Sequence, residues 1–595
     1  MAISKQKKGA LFFMFLFFTA LFFVAGLYGG GAAYYKLTHI SMEHLSYHSL
    51  IDQWQLYHTN TDIKKRLIAG LAVCGLITLI PTFMSIIVLI AIQEKEEIHG
   101  SAKFATDMDL AKSGLFPNLK DKNKSPTILL GKMSKGRFKD RFIELDGAQF
   151  AEVAAPTRSG KGVGLVVPNG VSYQHSMVCT DFKFENLILT GGFRKRCGQD
   201  VFLFAPDGFA LSPEDREAEQ VRSHRWNCFD YVSRSRAYRV GDVLNITASL
   251  YPTNGDKGDI WNELAGKLFK GLCCWMLDTE TITGIKPSLP YVLKLVGVDG
   301  GLRAWMRREL RNDYVSDDAR FEFNNCLSMA EETYSSVESN LLSPLAIFSD
   351  HVTAAAVSES DFDFRDLRKK PMTIYVGCTP NNLPKFGKLL NLFFEQLISQ
   401  NTQTLPEHDS SLKYQCLLLL DEFTALGRIK QIEKAISYTA GYNLRFLTIY
   451  QDDSQLEEVY GRENAQNIRK NHGVRVVYPP KEVDETAKRV SDTLGTKTVK
   501  KRKVSRSLGK HASRSISDDE IKRPLMMPHE VVELGFEKHP VATKVGVKTL
   551  ILKENQRPFI ANKIIYFDEP TLACRVNYAK ANIPDIPLLP LNTAA

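Results

Sequence analysis

A short glycine-containing stretch between two apolar runs is the feature that most limits how this chain can fold. Residues 155–164 read Ala-Pro-Thr-Arg-Ser-Gly-Lys-Gly-Val-Gly, with apolar residues before them and after them. Small residues let backbone N–H groups turn inwards around a phosphate, and the Lys161 ammonium can reach the β- and γ-phosphates. The helix that follows adds a partial positive charge. The pattern predicts a strand, a phosphate-binding loop and a helix.

The loop departs from the common G-x-x-x-x-G-K-[ST] pattern at two positions. Ala155 stands at the first glycine, and Gly162 stands where a hydroxyl group would hold Mg²⁺. Taken alone, the stretch fits an ordinary strand–turn–helix corner as well as it fits a nucleotide site. The nucleotide-binding residues predicted on the loop interpretation are Thr157, Arg158, Ser159, Gly160, Lys161, Gly162 and Val163.

A second apolar stretch, far along the chain, favours the nucleotide interpretation. Residues 415–422 read Gln-Cys-Leu-Leu-Leu-Leu-Asp-Glu, a run that suits a buried strand of a parallel sheet. Acidic residues directly after such a strand lie at the edge where open α/β sheets bind ligands. We predict that Asp421 holds Mg²⁺ and that Glu422 polarises the attacking water of an ATPase. A strand followed by a helix cap is the alternative interpretation.

Polar residues also follow two other predicted strands. Gln451 comes directly after the apolar run 444–450, where it would sense the γ-phosphate or orient water. The alternative at this point is a helix capped by Asp453 or Ser454, and both interpretations can hold together. After residues 176–180, Glu185 is predicted to cap the next helix. Asp181 fits either a cap or a residue that faces the nucleotide.

The remaining patterns predict an α/β fold with a doubly wound parallel sheet. Apolar runs alternate with helical patterns, which is typical of such sheets. Residues 259–350 are poor in strand signals and have helical spacing, as at Trp261, Leu264, Leu268 and Leu272, so we predict an inserted all-α domain. Strands are predicted at 148–153, 176–180, 201–204, 372–378, 415–420, 444–450 and 474–478, with late strands edging the sheet at 549–553 and 561–567 and helices at 385–401 and 429–442.

Two uncharged apolar spans at 9–35 and 67–93 begin the chain. Each exceeds the ~20 residues that cross a bilayer, so transmembrane helices are predicted at about residues 10–34 and 67–92. A cleaved signal peptide is the alternative for the first span, because residues 29–33 are small. Since ATP is cytoplasmic, both the N-terminus and the soluble part are predicted inside, with residues 36–66 as an outer loop. No cysteine occurs in that loop.

The segment 497–523 is rich in Lys, Arg and Ser. The whole chain has a net charge of +9, which permits a polyanionic partner but does not require one. Because the segment lacks interleaved aromatic residues, base stacking is not supported. A solvated, mobile loop is one interpretation, and contact with a nucleic-acid phosphate backbone is the other. The tail from residue 577 is predicted to be loose.

Taken together, several stretches resemble the TraG/VirD-type coupling proteins of type IV secretion and conjugation. The resemblance rests on the two apolar spans, His99-Gly-Ser-Ala102, residues 156–162, Leu420-Asp-Glu-Phe-Thr-Ala-Leu-Gly-Arg428, and Gln451 with residues 454–456 and 460–461 behind it. It covers the chain to about Tyr478. Gly162 fits this family's own Gly-Lys-Gly form, although direct coordination of Mg²⁺ by a hydroxyl is then lost.

The resemblance implies a multi-pass ATPase of the bacterial inner membrane, mostly cytoplasmic, with a RecA-like nucleotide-binding domain that uses ATP and Mg²⁺. It implies a homo-hexameric ring that receives a relaxase–DNA complex or protein effectors and passes them to the type IV secretion machinery. Single-stranded DNA is a further partner, and the inserted helical domain would help to recognise substrate. Ring ATPases often take an arginine from the neighbouring subunit, for which Arg462 is our first candidate and Arg428 our second.

The predicted domains are a membrane domain at 1–98, a nucleotide-binding domain in two parts at 99–258 and 351–570, an inserted all-α domain at 259–350, and a tail at 571–595. The alternative function is a nucleotide-binding scaffold that recruits substrates with little or no hydrolysis, which Gly162 favours. A septal, chromosome-pumping translocase is a further rival, but such a protein would usually carry a fuller phosphate loop.

Overall fold

The computed structural model describes residues 5–92, 98–117, 125–253, 255, 258–506 and 514–591. The chain divides into two compact units, Met1–Ile98 and His99–Ala595. The first unit contains helices α1 (Lys5–Thr38), α2 (Ser49–Tyr57) and α3 (Thr61–Ile92). Two of its segments, Phe13–Thr38 and Thr61–Ile87, are long and apolar enough to cross a membrane, and most of their residues are not buried.

Glycines let α1 and α3 approach each other closely. A Cβ atom added at Gly30 would lie 2.6 Å from the Gly70 carbonyl oxygen, and one added at Gly70 would lie 2.7 Å from the Gly30 carbonyl oxygen. Small residues at such crossings are typical of helix pairs in membranes. The segment predicted as an outer loop contains helix α2, which was not predicted from the sequence. Leu50 of this helix is buried and packs with Tyr34 and Leu67, and this packing stabilises the helix.

The second unit is built on one sheet of eleven strands in the order β2-β1-β13-β12-β9-β3-β8-β7-β4-β6-β5. The seven strands from β9 to β5 are parallel to one another, and every pairing from β2 to β9 is antiparallel. The strands are β1 Ile128–Lys132, β2 Phe142–Leu145, β3 Ala151–Ala154, β4 Ser176–Thr180, β5 Asp200–Phe204, β6 Met372–Val376, β7 Cys416–Leu420, β8 Leu444–Tyr450, β9 Val474–Val477, β12 Lys548–Lys553 and β13 Phe559–Asn562.

The predicted α/β class is confirmed, and the parallel strands are buried on both faces, as their continuous apolar sequences require.

Helices cover the sheet. The helices of this unit are α4 Asp107–Ala111, α5 Val167–Gly170, α6 Gly192–Arg196, α7 Pro213–Glu217, α8 Arg239–Leu250, α9 Asp259–Thr283, α10 Leu289–Val296, α11 Leu302–Glu309, α12 Asp317–Leu327, α13 Glu331–Leu345, α14 His351–Ala356, α15 Leu383–Asn401, α16 Lys430–Ala435, α17 Asp453–Tyr460, α18 Arg462–Asn471, α19 Glu485–Leu494, α20 Pro528–Glu533 and α21 Pro570–Ala581.

Helices α8 to α14 follow one another between β5 and β6, and no named strand interrupts them in the part of this segment that the structure describes. Helix α9 is central, since its residues Leu268, Leu272 and Met276 are buried against α12 and α13. Trp261, at the start of α9, is 37% exposed and lies outside this core.

Three predictions about the second half of the chain are wrong. The late strands β12 and β13 lie inside the sheet, between β9 and β1, because each pairs antiparallel on both sides. The helix predicted at 429–442 ends at Ala435, and a separate helical turn at Thr439–Tyr442 leads to Asn443 with a left-handed φ of 59°. The chain after residue 577 continues α21, and the buried Ile586 and Leu589 hold its end against the core.

The basic segment is also not a loop. It forms a two-stranded antiparallel hairpin of β10 (Thr496–Arg506) and β11 (Arg514–Pro524), in register from Thr496↔Pro524 to Arg506↔Arg514. Cross-strand pairs of opposite charge, such as Lys500 with Glu520 at 3.1 Å, stabilise strands whose lysines have low β-propensity. Residues 507–513 lie outside the described residues.

Candidate nucleotide site

The candidate site lies where three adjacent parallel strands end. Strand β8 pairs with β3 on one side and with β7 on the other. Their carboxyl ends lead into the loop 155–162, into Asp421 and Glu422, and into Gln451. Because parallel strands end at one edge of a sheet, residues more than 250 positions apart in the chain meet here.

Lys161 contacts both acidic residues. Its Nζ atom lies 3.2 Å from Asp421 Oδ1 and donates a short hydrogen bond to Glu422 Oε1. The Lys161 and Asp421 side chains are less than one-fifth exposed, and that of Glu422 is one-third exposed. The arrangement is a half-buried ammonium between two carboxylates that remains accessible from one side.

A polar chain continues from Glu422 to the start of the loop. Gln451 Nε2 donates to Glu422 Oε2 at 3.4 Å, and Thr157 Oγ1 donates to Gln451 Oε1 at 2.8 Å. Side chains from three separate strand ends are therefore joined in one hydrogen-bonded line with Lys161. The structure thus brings Thr157, Lys161, Asp421, Glu422 and Gln451 together.

The backbone around Asp421 is held from the neighbouring strand. Thr180 Oγ1 donates to the Asp421 carbonyl oxygen at 2.7 Å, and the Glu422 N–H donates to Asp421 Oδ1 at 3.0 Å. Burial raises the pKa of the Asp421 carboxyl, Lys161 opposes this shift, and Glu422 adds to it. Glu422 has a left-handed φ of 54°, a conformation that is uncommon in non-glycine residues.

The loop itself turns through two left-handed residues, Arg158 with φ 62° and Gly160 with φ 87°. A Cβ atom at Gly160 would lie 2.6 Å from Val545 Cγ1, so both conformation and space require glycine there. At Gly162, an added Cβ would meet no atom within 4 Å. The missing hydroxyl is therefore not a consequence of crowding.

Lys563 is a residue of this region that the sequence did not single out. Its Nζ atom donates to the Ser159 carbonyl oxygen at 2.9 Å and lies 4.0 Å from the centre of the Tyr478 ring. Burial lowers the pKa of Lys563 to about 7, and repulsion from Lys538 adds to the shift. No sequence signal marks it, because it reaches the loop only when β13 folds into the sheet.

The two arginine candidates differ in their surroundings. Arg462 is exposed at the start of α18. Arg428 is bound within the chain, since its Nε and Nη2 atoms donate to the two Glu433 carboxylate oxygens at 2.7 and 3.1 Å. The guanidinium of Arg428 is therefore held in an ion pair, whereas Arg462 is exposed to solvent.

The predicted helix caps need correction at two strand ends. Asp181, not the exposed Glu185, accepts a hydrogen bond from the Leu187 N–H at 2.8 Å, and burial raises its pKa to about 7. Helix α17 is capped by Asp452, which accepts from the Gln455 N–H at 2.9 Å. The predicted caps Asp453 and Ser454 lie within the helix.

Asp453 has a different role. It is fully buried and accepts two hydrogen bonds of 2.8 Å from Arg475 Nη2, with Arg469 and Arg489 each 3.5 Å away. A buried carboxylate needs such counter-charges. Since Asp453 follows Gln451 by two residues, these arginines fix the turn that carries Gln451.

The site residues fit Mg²⁺ as a partner of bound phosphate. Mg²⁺ prefers oxygen ligands and is usually held by one or two carboxylates together with water and substrate phosphates. Asp421 and Glu422 provide such carboxylates at the sheet edge. Among the described residues, no cluster of three or more His, Cys, Asp or Glu side chains could enclose a metal by itself. A site shared with phosphate oxygens is the arrangement these residues favour.

Comparison with known proteins identifies the family to which this chain belongs. A family model described as "Type IV secretory system Conjugative DNA transfer" matches residues 103–585. The chain belongs to this family. The Agrobacterium fabrum VirD4 protein is 30% identical over 505 residues, which cover 84% of this chain and 70% of VirD4. The conjugal transfer protein TraG of Escherichia coli is 28% identical over 531 residues, 82% of this chain and 80% of TraG.

Solved structures of a conjugative coupling protein share the fold. The bacterial conjugative coupling protein TrwBdeltaN70 matches with a TM-score of 0.52 and 17% sequence identity, over 79% of this chain and 96% of that one. A second structure of TrwB matches with a TM-score of 0.51 over 79% of this chain and 97% of that one. The predicted membership of the TraG/VirD-type coupling proteins is confirmed.

Proposed function

We propose that this coupling protein is an ATPase that hydrolyses ATP to recruit and move DNA-bound or protein substrates. The observation that carries the proposal is the contact of Lys161 Nζ with both Asp421 and Glu422 at adjoining strand ends. An ammonium and two carboxylates at the carboxyl edge of a parallel sheet provide the charges that a metal-bound triphosphate needs.

In this proposal, each residue has a distinct task. Lys161 and the backbone N–H groups of residues 157–163 bind the phosphates, for which Lys161 leaves its ion pair with Glu422. Asp421 would hold Mg²⁺, which would neutralise phosphate charge when bound, and Gly162 offers it no hydroxyl ligand. Glu422, released from Lys161, accepts a proton from the attacking water, and Gln451 orients that water.

Related structures support this assignment. The plasmid coupling protein TrwB has been solved in complex with ADP and Mg²⁺ and with the non-hydrolysable ATP analogue ADPNP. Their TM-scores with this chain are both 0.50, at 16% and 17% identity. A nucleotide with Mg²⁺ is therefore the ligand class that we transfer to this site.

We further propose a homo-hexamer in the bacterial inner membrane, anchored by α1 and α3 with the second unit in the cytoplasm. The two apolar helices and the family support this placement. A relaxase–DNA complex or protein effectors are the proposed cargo, passed to the type IV secretion machinery. The helices between β5 and β6 would contribute to substrate recognition, and Arg462 would act on the nucleotide of a neighbouring subunit.

The experiment is steady-state ATP hydrolysis by the full chain in nanodiscs. We expect Glu422→Gln to lower kcat by about 100-fold or more, because it removes the proton acceptor, while ATP still binds. The exposed Glu407→Gln is a matched control and should hydrolyse at the wild-type rate. Wild-type turnover by Glu422→Gln would show that the assigned role is wrong.

A substrate-recruiting scaffold is the second candidate function, and the glycine at residue 162 favours it. The scaffold predicts that the wild-type protein binds ATP without turnover above the buffer rate, both with and without single-stranded DNA. The ATPase predicts turnover that Glu422→Gln abolishes. The same assay therefore separates the two functions.

A further inference from the structure

The hairpin of β10 and β11 concentrates the positive charge of the protein. Its two strands contain nine Lys and Arg residues and three acidic residues, a net charge of +6, whereas the whole chain has a net charge of +9. Each strand has eleven residues, so the hairpin is about 35 Å long. Such a dense charge on one extended element indicates a polyanionic partner.

Several basic side chains are exposed in the part of the hairpin whose side chains the structure describes. Lys500 and Lys503 are 55% and 64% exposed, although each also contacts one acidic residue of β11. Lys501 and Lys522 are exposed as well. Internal ion pairs therefore neutralise only part of the charge.

Apolar side chains accompany these cations. Val504 is 45% exposed and Ile521 is 44% exposed. Val504 pairs with Ile516 and Ile521 pairs with Val499, so Val504 and Ile521 lie on opposite faces of the hairpin. Residues 496–524 contain no Phe, Tyr or Trp on which nucleic-acid bases could stack. Cations mixed with aliphatic residues suit a lipid interface, where charge meets the head groups and apolar groups enter below them.

The base of the hairpin is bound to the beginning of the soluble unit. The Ala102 N–H donates to the Thr496 carbonyl oxygen at 3.0 Å, and the Thr498 N–H donates to the Gly100 carbonyl oxygen at 3.1 Å. Thr496 Oγ1 also donates to the His99 carbonyl oxygen at 2.7 Å. The hairpin is thus fixed to residues 99–102.

Residues 99–102 come soon after the second apolar helix, α3, in the sequence. His99 is seven residues beyond Ile92, the last residue of α3, and seven residues reach at most ~25 Å whatever their conformation. If α3 spans the bilayer as proposed, the hairpin base cannot be farther than this from the end of that helix. The hairpin is about 35 Å long and therefore within reach of the cytoplasmic head groups.

We propose that the β10–β11 hairpin binds anionic phospholipid head groups of the cytoplasmic leaflet and thereby orients the ATPase unit on the membrane. The cations of both strands supply the attraction to anionic lipid, and Val504, on the same face of the hairpin as Lys500 and Lys522, supplies apolar contact. This inference rests on the membrane anchoring given under the proposed function. The absence of aromatic residues and the anchoring at residues 99–102 favour lipid over nucleic acid.

The test is lysine acetylation, measured by mass spectrometry, on the full chain in nanodiscs. One set of nanodiscs contains phosphatidylcholine with 30% phosphatidylglycerol, a composition we choose, and the other contains phosphatidylcholine alone. We expect acetylation of Lys500, Lys501 and Lys503 to slow about fivefold in the anionic nanodiscs, and this protection to disappear at about 0.5 M salt. Lys413, exposed before β7, is the control and should react equally in both.

A second measurement does not depend on lysine chemistry. The fluorescence of a tryptophan introduced by Val504→Trp should be quenched by brominated phosphatidylglycerol, and adding Lys501→Gln and Lys503→Gln to the same chain should reduce that quenching.

Equal acetylation in both lipids, without quenching, would overturn the hairpin inference and leave the membrane anchor intact. Protection that follows added single-stranded DNA, and not lipid, would overturn it in favour of nucleic acid. Failure of the chain to enter nanodiscs would overturn the anchor and the inference together.

Discussion

At the scale of single residues, Lys563 links the phosphate loop to the last strand of the sheet. Its ammonium holds the Ser159 carbonyl oxygen and adds a positive charge beside the loop. Since its pKa is lowered to about 7, that charge is present at pH 6 and is mostly lost at pH 8.5. The strength of nucleotide binding should follow this titration.

We predict that Lys563→Met weakens ATP binding about tenfold at pH 6, where the wild-type side chain is charged. At pH 8.5 the substitution should weaken binding much less, because the wild-type side chain is largely neutral at that pH. Titration of ATP itself affects both proteins equally, so the ratio of their Kd values isolates Lys563. Lys413→Met, at an exposed lysine before β7 and outside this cleft, is the control and should change binding little. A ratio that stays constant with pH would contradict the assigned role of this charge.

The sequence predicted only part of the site at this scale. Asp421, Glu422 and Gln451 directly follow recognisable parallel strands, and Lys161 lies in a recognisable loop after another, so the four could be placed together. Lys563 could not, since the pairing of β13 with β12 and β1 is not encoded in any local pattern. The cap at Asp452 was missed because three acidic or hydroxyl residues in succession are equally good local candidates.

At the scale of secondary-structure elements, the parallel strands were predicted, β12 and β13 were predicted as strands but at the wrong place in the sheet, and β1 and β2 were missed. Runs such as Leu417–Leu420 are continuous and apolar because both of their faces are buried. Strand β1 is five residues long with Gly131 inside it, and its partner is β13, more than 400 residues away. The β10–β11 hairpin was predicted as a loop because lysine and aspartate are rare in strands.

Docking of the C-terminal helix α21 depends on a small residue in α6. A Cβ atom at Gly192 would lie 2.1 Å from the Asn582 carbonyl oxygen and 2.8 Å from that of Ala579. We predict that Gly192→Ala lowers the free energy of unfolding by about 2 kcal/mol, because backbone atoms must move apart. Thermal unfolding in detergent measures the change.

Gly387→Ala in α15 is the matched control for this substitution. An added Cβ there meets no atom within 4 Å, so alanine should raise the free energy of unfolding by about 0.5–1 kcal/mol through its higher helix propensity. If both variants were stabilised, α21 would not be packed against α6 as described. The contrast between the two glycines therefore tests the position of the C-terminal segment.

At the scale of the whole molecule, the proposed ring requires that a subunit lend Arg462 to its neighbour. We predict that Arg462→Ala and Glu422→Gln each abolish turnover, and that rings co-assembled from equal amounts of both regain about a quarter of the wild-type rate. An active interface then forms wherever the subunit with Glu422 meets a neighbour with Arg462. ATP hydrolysis by the purified mixed rings is the measurement.

The result distinguishes the available explanations. Mixed rings without activity would mean that Arg462 acts within its own subunit or only structurally. Full activity of Arg462→Ala alone would remove it from the mechanism. Arg428→Ala, which breaks an ion pair with Glu433, should by itself retain nearly the wild-type rate if Arg462 is the acting residue.

The central claim is that Lys161, Asp421 and Glu422 enclose one nucleotide. The most direct test is equilibrium binding of ATP with Mg²⁺ to the full chain in nanodiscs, for the wild type, Lys161→Ala and the exposed control Lys413→Ala. We predict that Lys161→Ala raises the Kd at least about tenfold, because a charge-assisted contact with phosphate is lost, and that Lys413→Ala leaves it unchanged. An unchanged Kd for Lys161→Ala would contradict the account.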